Sequence, residues 1–328
     1  MANYRMAAID VGSNAARLLI TDVTWQNHLL RSTKVAFYRL PIQLGADVFT
    51  QGFLSQEKID NLKHALSAFQ SLIHIFRPNA TLACATAALR ESANTSAVMS
   101  LIKQDLLFPL YIIDGSIESA LIGLATAGFA SPDKLAMTID VGGGSTEISL
   151  KRPDGQVEGH SFPIGTLRLL QHFVDDQAWY QLKSLILDKV GTRPCTLIGT
   201  GGNINKIPTL LGRKSPVNVT RKQLSTLMGI LDSLTIEERC RRFGLKPDRA
   251  EVLFPALRIY TEIMKWSKAT QLLIPKTGLA DALIILLAKE LSGGLLPWEK
   301  ELLSQIRGCP AAPKFKGLRE GNTWSTSL

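Results

Sequence analysis

The feature that most constrains the fold is a strand–glycine turn–strand unit that occurs twice. Residues 137–150 (MTIDVGGGSTEISL) align without a gap on residues 7–20 (AAIDVGSNAARLLI), and Ile, Asp, Val and Gly coincide at four successive positions. In both copies apolar and β-branched residues flank a turn whose residues tolerate unusual backbone angles. The duplication favours two domains of like fold that face each other across a cleft.

Helices and apolar strands alternate around the two copies. Through residues 55–76 apolar side chains recur every three or four positions, and Ser55 can cap the segment, which predicts a long amphipathic helix. Such alternation is typical of an α/β protein. Further strands are predicted at residues 31–39, 81–85, 110–114, 195–198 and 271–274, and further helices begin near residues 93, 117 and 279.

The length of 328 residues suits two domains, and a composition of 45% hydrophobic and 20% charged residues is ordinary for a soluble protein. We predict a first domain at residues 1–128, a second at 129–300 and a loose polar tail at 301–328. The four cysteines lack CxxC spacing, and the sequence begins with no signal-peptide pattern. We therefore expect a cytoplasmic protein.

A formal net charge of +9 gives the chain a basic surface, which attracts polyanions without selecting one of them. The same charge also serves solubility. One basic cluster could guide a long anion or could simply form a solvated face. We expect neither a membrane nor a specific nucleic acid as a partner. The cluster comprises Arg239, Arg241, Arg242, Lys246 and Arg249.

A run of three glycines after the first strand of the second copy carries the strongest chemical signal. Glycines leave backbone N–H groups bare, and such groups in a turn bind phosphate oxygens. The Ser and Thr that follow add hydroxyl donors. The alternative is a tight hairpin without a ligand. The predicted phosphate donors are Gly142, Gly143, Gly144, Ser145 and Thr146.

Two carboxylates flank that glycine run. Asp140, at the end of the strand, can hold a metal ion directly or through water. Glu147 starts the returning strand, and a carboxylate beside a phosphate is repelled unless a metal or an attacking water lies between them. Asp140 is therefore a candidate metal ligand, and Glu147 is a candidate both for holding metal and for polarising water.

The first copy of the repeat is a weaker phosphate signal. Gly12 allows close approach of a ligand, and Ser13 and Asn14 can donate to phosphate. Asp10 occupies the position of Asp140 and is a further candidate metal ligand. Alone this string would be an ordinary hairpin, but paired with the second loop it becomes the opposite side of a cleft.

Glu118 and Arg90 each follow a strand end, where ligands bind in α/β sheets. Glu118 could act as a general base on water, or could interact only with the helix dipole, since acids favour first turns. Arg90 could contact phosphate through its guanidinium or lie solvated. Spacing alone leaves both alternatives open.

The sequence lacks the characteristic motifs of several enzyme classes. The sequence has no GxxxxGK[ST], no GxSxG and no HExxH, which argues against P-loop kinases, serine hydrolases of the GxSxG type and HExxH metalloproteases. No covalent nucleophile stands out. The simplest mechanism is therefore attack by a water activated by carboxylate and metal.

Together these strings resemble the Ppx/GppA family of exopolyphosphatases and guanosine pentaphosphate phosphohydrolases, from about Ala7 to Leu286. AAIDVGSNAARLLI and TIDVGGGSTEISL are similar to the family's two phosphate loops. ATAALRES is similar to its ATSALREA segment, and IIDGSIESALIGL to its SGxEEARLIxxG segment. The resemblance implies two actin-like (ASKHA, ribonuclease H-like) domains with a cleft between them, Mg²⁺ or another divalent cation as cofactor, and homodimers among its members.

The resemblance also implies roles for individual residues. Glu118 takes the place of the family's catalytic glutamate, which activates water. Asp140 and Glu147 take the places that position metal and water, and Arg90 takes the place of a substrate contact. The phosphate-cradling places fall on Ser13, Asn14, Gly142, Gly143, Gly144, Ser145 and Thr146.

The chain departs from the family pattern beside the catalytic glutamate. Where the family has EEAR, this sequence has Ile117, Glu118, Ser119 and Ala120, so that a neighbouring acid and an arginine are replaced. The family's later GLREG string is TGLADA here. These changes bear on activity and substrate choice. We expect a short form, without the HD-type domain of longer members.

Three functions follow as hypotheses. The first is hydrolysis of the terminal phosphoanhydride of inorganic polyphosphate, which the basic charge favours over guanosine pentaphosphate. The second is a binding protein that holds polyphosphate or an alarmone without turnover. The third is an ATP-using kinase or chaperone of the same superfold.

Overall fold

The computed structural model describes residues 3–26, 29–131, 133–154 and 157–308. The first sheet consists of β1 (Asn3–Val11), β2 (Ala16–Gln26), β3 (Leu29–Leu40), β4 (Ala80–Ala85) and β5 (Leu110–Ile112). Its order is β3-β2-β1-β4-β5, with β1 to β3 antiparallel and β4 and β5 parallel to β1. Ile9 faces one apolar core and Ala8 faces the other, so the sheet is buried on both faces.

The second sheet repeats this plan. It consists of β6 (Leu135–Val141), β7 (Thr146–Lys151), β8 (Val157–Phe162), β9 (Cys195–Thr200), β10 (Val217–Thr220) and β11 (Gln271–Ile274). Its order is β10-β11-β9-β6-β7-β8, in which β6 to β8 are antiparallel, β6, β9 and β11 are parallel, and β10 is antiparallel to β11. Read from β8 to β11, it matches the first sheet strand for strand. The predicted pair of actin-like α/β sheets built on a duplicated unit is therefore confirmed.

The helices of the first half are α1 (Leu44–Gln51), α2 (Gln56–Phe76), α3 (Ala87–Glu91), α4 (Thr95–Asp105) and α5 (Gly115–Thr126). The long amphipathic helix is confirmed as α2, and the Ser55 hydroxyl accepts a hydrogen bond from the Lys58 amide at 3.4 Å. α3 was not predicted, because five residues are too few for a periodic pattern. α5 begins before residue 117 because the Asp114 carboxylate caps it, accepting from the Ile117 amide at 2.8 Å.

The helices of the second half are α6 (Thr166–Leu170), α7 (Asp176–Lys189), α8 (Ile207–Leu210), α9 (Arg221–Asp232), α10 (Ile236–Phe243), α11 (Pro247–Trp266), α12 (Leu279–Leu291) and α13 (Pro297–Ile306). α7, α9 and α11 pack on the second sheet. α12 and α13 instead pack on the first sheet, in one core with Met6 and Ala8. None of the described helices is long and apolar enough to cross a membrane.

The packing of α12 and α13 differs from the predicted domain division. The predicted boundary near residue 128 remains a prediction, but residues 279–291 complete the first domain's core and not that of the second. Residues 301–306, predicted to be a loose tail, end α13, and Leu302 and Leu303 are buried there. The local sequence gave no indication of which sheet these apolar faces cover. Residues 309–328 lie outside the described residues.

α5 lies between the two sheets and sets the position of Glu118 in its first turn. Leu121 packs into the first sheet's core. On the other side, the buried Ser119 hydroxyl donates to the Ile148 carbonyl of β7 at 2.7 Å. Ser119, a departure from the family pattern, thus ties the helix that carries Glu118 to the strand that carries Glu147.

Candidate active site

The two glycine turns are closed by the same hydrogen bond at corresponding positions of the repeat. The Gly12 amide donates to the Ala15 carbonyl at 3.1 Å, and the Gly142 amide donates to the Ser145 carbonyl at 2.9 Å. Each turn connects the central strand of its sheet to the antiparallel neighbour. The two phosphate-loop candidates are therefore structurally equivalent as well as similar in sequence.

The two turns also contact each other. A Cβ atom added at Gly143 would lie 3.0 Å from the Ser13 Cβ and 3.2 Å from a methyl group of Leu167. Such spacing is tighter than ordinary van der Waals contact, so a side chain at 143 would push the loops apart. Glycine here serves the close approach of the two domains.

A cleft of ≈460 Å³ lies between these turns, a volume in the range of small-molecule sites. It is bounded by both sheets' central strands, by α5 and by the N-terminus of α12. Most of the predicted site residues line it. They are Asp10, Ser13, Asn14, Glu118, Asp140, Gly142, Gly143, Gly144 and Ser145.

Thr146, Glu147 and Arg90 are not among the residues that line the cleft, and the phosphate contacts predicted for Thr146 and Arg90 stay predictions. The fully buried Thr146 hydroxyl donates to the Ile164 carbonyl at 2.5 Å, which joins β7 to the segment before α6. Arg90 donates to the Ile113 carbonyl at 2.9 Å and to the Glu118 carboxylate at 3.4 Å. Arg90 therefore holds Glu118, which lines the cleft.

Asp140 and Glu147 are register partners on adjacent strands, and Glu147 is buried while Asp140 is half-buried. Asp140 accepts a hydrogen bond from the Thr200 hydroxyl at 3.0 Å, and burial raises its pKa to about 6. Glu147 accepts a hydrogen bond from the Ser161 hydroxyl at 2.9 Å, and burial raises its pKa to about 7. Both carboxyls thus hold protons more tightly than exposed ones.

Glu118 completes this acidic cluster from the side of the first domain. Burial raises its pKa well above the ordinary value, and the neighbouring Glu147 and Asp140 raise it further. Arg90 opposes the shift through its ion pair. A buried carboxylate with a raised pKa at the cleft surface is suited to take a proton from water.

The first copy of the repeat differs from the second in its charge. Arg17 occupies the register position that Glu147 occupies in the second copy, and it pairs with Asp10 on the adjacent strand. Burial works to lower the pKa of Arg17, but Asp10, Asp140 and Glu118 outweigh it and the pKa is raised. One side of the cleft therefore carries a fixed cation and the other a cluster of acids.

Two carboxylates of the site have the oxygen-donor chemistry that a divalent cation would take. Among the described ranges, no three His, Cys, Asp or Glu side chains are grouped as a ready metal cage. Mg²⁺ in phosphoryl-transfer sites is usually held by one or two carboxylates together with phosphate oxygens and water. Asp140 and Glu147 match that donor chemistry, whereas the Asp10 carboxylate is engaged by Arg17.

Two further basic residues line the same cleft, of which Lys206 was missed by the sequence reasoning. Lys206 follows the third glycine turn, and burial together with Arg249, Lys276 and Arg39 lowers its pKa. Arg249, expected on a solvated face or as a guide for an anion, donates to the Gly202 carbonyl at 2.6 Å. Burial and its cationic neighbours lower its pKa to about 10. The glycine turn before Lys206 was a usable signal, and the charge cluster pointed to Arg249 without placing it in the cleft.

Two proteins of named activity are similar in sequence to this chain. The chain is 28% identical over 289 residues to a bifunctional 3-dehydroquinate synthase/phosphatase of Fusobacterium nucleatum, a match that covers 80% of the chain and 44% of that longer protein. It is 22% identical over 305 residues to exopolyphosphatase 1 of Mycobacterium leprae, with 83% and 89% of the two chains covered. The chain thus spans less than half of the first relative.

Solved structures share the fold over nearly their whole length. A Ppx/GppA family member from Aquifex aeolicus has a TM-score of 0.70 at 23% identity, covering 90% of this chain and 100% of that one. An exopolyphosphatase from Cytophaga hutchinsonii has a TM-score of 0.74 at 23% identity, covering 88% and 98%. The Ppx/GppA phosphatase family pattern matches residues 28–290, which include α5 and the second glycine loop. This chain belongs to the Ppx/GppA phosphatase family.

Proposed function

We propose that this chain hydrolyses the terminal phosphoanhydride of inorganic polyphosphate. One observation carries the proposal: two equivalent glycine loops, a buried glutamate and several cationic side chains line a single cleft. Hydrogen-bond donors of the loops and cationic side chains can bind a chain of phosphates, and the glutamate can accept a proton from an attacking water. The relatives named exopolyphosphatase support the same substrate.

The terminal phosphate would be held between the two loops. Bare amides of both turns and the Ser13 and Ser145 hydroxyls supply hydrogen-bond donors. Arg17 supplies a fixed positive charge at the centre of the cleft. Lys206 and Arg249 would neutralise the following phosphates, which relieves their own mutual repulsion.

Water would attack the terminal phosphorus on the side opposite the bridging oxygen. Glu118 accepts the proton of that water, the new P–O bond forms, and the bridging P–O bond breaks. The products are orthophosphate and a chain one phosphate shorter. Arg90 keeps Glu118 in place, and its charge opposes the rise that burial causes in the Glu118 pKa, which favours the carboxylate form that a general base needs.

The divalent cation is part of the proposal. Asp140 and Glu147 would hold it, with Asp10 as a further oxygen donor nearby, and when bound it would offset the negative charge of the phosphates. Asp140 is oriented for this role by the Thr200 hydroxyl. Glu147 is oriented by the Ser161 hydroxyl.

Guanosine pentaphosphate is a second candidate substrate, and a single side chain favours it. Phe37 on β3 borders the cleft and is 54% exposed, and it is the one aromatic residue among the described residues that line the cleft. Aromatic faces stack on nucleobases, at about 1–3 kcal/mol per base. If Phe37 holds the base, Phe37→Leu should raise KM for guanosine pentaphosphate at least about fivefold and leave tripolyphosphate unaffected.

The test is phosphate release from long-chain polyphosphate, tripolyphosphate and guanosine pentaphosphate, with Mg²⁺ and with chelator. Glu118→Gln should lower kcat at least about 100-fold while substrate binding persists. Glu251→Gln, which changes an exposed carboxyl on α11, is the matched control and should be fully active. Binding of all three substrates by the wild type without release of phosphate would refute the hydrolase and favour a polyanion-binding protein.

A further inference from the structure

Arg168 on α6 joins the second glycine loop to the first domain. We propose that it is a positioning residue, which clamps this loop in the conformation that binds phosphate. The kinetic part of the proposal rests on the proposed hydrolysis, whereas the structural part does not. Arg168 is not itself among the residues that line the cleft, and it contacts the lining at Gly144 of the second loop, so it would act through the loop.

The Arg168 guanidinium makes polar contacts on both sides of the domain junction. Its Nε donates to the Gly144 carbonyl of the second loop at 2.7 Å. Its Nη2 pairs with Glu91 at the end of α3 in the first domain. The Arg168 side chain is 13% exposed and that of Glu91 is 37% exposed, so the contact with the loop carbonyl is better sheltered from water than the ion pair.

An aromatic ring completes the clamp. The Arg168 guanidinium carbon lies 4.1 Å from the centre of the Phe49 ring of α1, a cation–π contact. The same ring packs against the loop, because a Cβ added at Gly144 would lie only 2.3 Å from the Phe49 Cζ. Phe49 is thus held between Arg168 and Gly144.

This contact fixes a donor direction in the loop. The Gly144 carbonyl and the Ser145 N–H belong to one planar trans peptide, so they point in opposite directions. A hydrogen bond that holds the carbonyl toward Arg168 therefore holds the Ser145 N–H away from it. α6 supports the same loop through its backbone, since the Thr166 and Leu167 amides donate to the Gly142 and Gly143 carbonyls at 3.0 and 2.9 Å.

The clamp is connected to the proposed general base through α3. Arg90 of this short helix pairs with Glu118, and the next residue, Glu91, pairs with Arg168. Two consecutive residues therefore hold the glutamate and the phosphate loop in one arrangement. Removal of the Arg168 contacts should therefore make the second glycine loop more mobile in the substrate-free protein.

The kinetic test is Arg168→Met, which keeps an apolar stem against Phe49 but removes the polar contacts. Substrate can still order the loop at saturation, so KM should rise about 10- to 100-fold while kcat changes less than about threefold. Arg168→Lys should give an intermediate KM, because one ammonium cannot meet the carbonyl, the carboxylate and the ring together. Arg258→Met, at an exposed arginine of α11, is the matched control.

A purely structural role predicts a different result. A purely structural residue, when replaced, would lower kcat and thermal stability and leave KM unchanged. That result, or any wild-type KM in Arg168→Met, would overturn the proposal that Arg168 clamps the loop. Hydrogen exchange of amides 142–145 in the free protein tests it without turnover. Faster exchange in Arg168→Met supports the clamp and unchanged exchange refutes it, even if wild-type protein releases no phosphate.

Discussion

Glu147→Gln should stabilise the protein at alkaline pH while it abolishes activity. The Glu147 carboxyl is fully buried, and burial raises its pKa from 4.5 to about 7. A carboxyl with a higher pKa in the folded than in the unfolded state releases its proton on unfolding. Stability is therefore lost as pH rises from 4.5 through about 7, and the loss is complete above that range.

The size of the effect follows from the shift. A difference of about 2.5 pKa units at about 1.36 kcal/mol each gives about 3 kcal/mol of destabilisation by ionised Glu147 at pH 8. Glutamine keeps the shape and can still accept from the Ser161 hydroxyl, but it carries no charge. In a chain of this length about 3 kcal/mol corresponds to a rise in Tm of about 6 °C.

The assay is thermal unfolding of wild type and Glu147→Gln at pH 8 and at pH 4.5, with chelator and without phosphate. The variant should unfold about 6 °C higher at pH 8 and at nearly the same temperature at pH 4.5. Glu251→Gln, at an exposed carboxyl, should match wild type at both values. An equal or lower Tm of Glu147→Gln at pH 8 would refute the reasoning that burial of the Glu147 charge costs more than its hydrogen bonds and neighbouring cation recover.

Three further substitutions test the packing around the site. Gly144→Ala would place a methyl group 2.3 Å from the Phe49 ring, so Tm should fall by the equivalent of about 1–3 kcal/mol and KM should rise, whereas an unchanged Tm would contradict the contact. Tyr260→Phe removes a hydroxyl that donates to two strand carbonyls at 2.5 and 3.3 Å, and denaturant unfolding should show a loss of about 1 kcal/mol. Glu299→Gln leaves the buried Lys289 ammonium without its carboxylate, so denaturant unfolding should show a loss of about 3 kcal/mol, and a double change to apolar residues should recover part of it.

Several parts of the site were predictable because each is formed by residues that are close together in the sequence. The glycine turns, the strands on either side and the acids at Asp140 and Glu147 occur within one strand–turn–strand unit. Pairing within such a hairpin is local, so the register that sets Asp140 opposite Glu147 follows from the turn itself. The duplication then predicted that a second loop would face the first.

Other parts were not predictable, because they depend on packing between distant segments. Arg90 and Glu118 are 28 positions apart, and the hydrogen bond between them forms only because the fold brings α3 beside α5. Thr146 follows the glycines as a phosphate donor would, but β7 turns its hydroxyl toward the Ile164 carbonyl. A stretch of sequence rich in hydroxyl and amide donors shows which hydrogen-bonding groups are present, but it does not show in which direction they point.

The sequence by itself determined the α/β class, the duplicated unit, the two loops and the acids beside them, since each is encoded by neighbouring residues. Only the tertiary structure decided that α12 completes the first core, that Arg249 and Lys206 join the cleft, and that Arg168 reaches Gly144 and Glu91. The physical reason is the range of the interactions. Turns and strand pairing in hairpins are local, whereas burial of helix faces and convergence of charges depend on the whole chain.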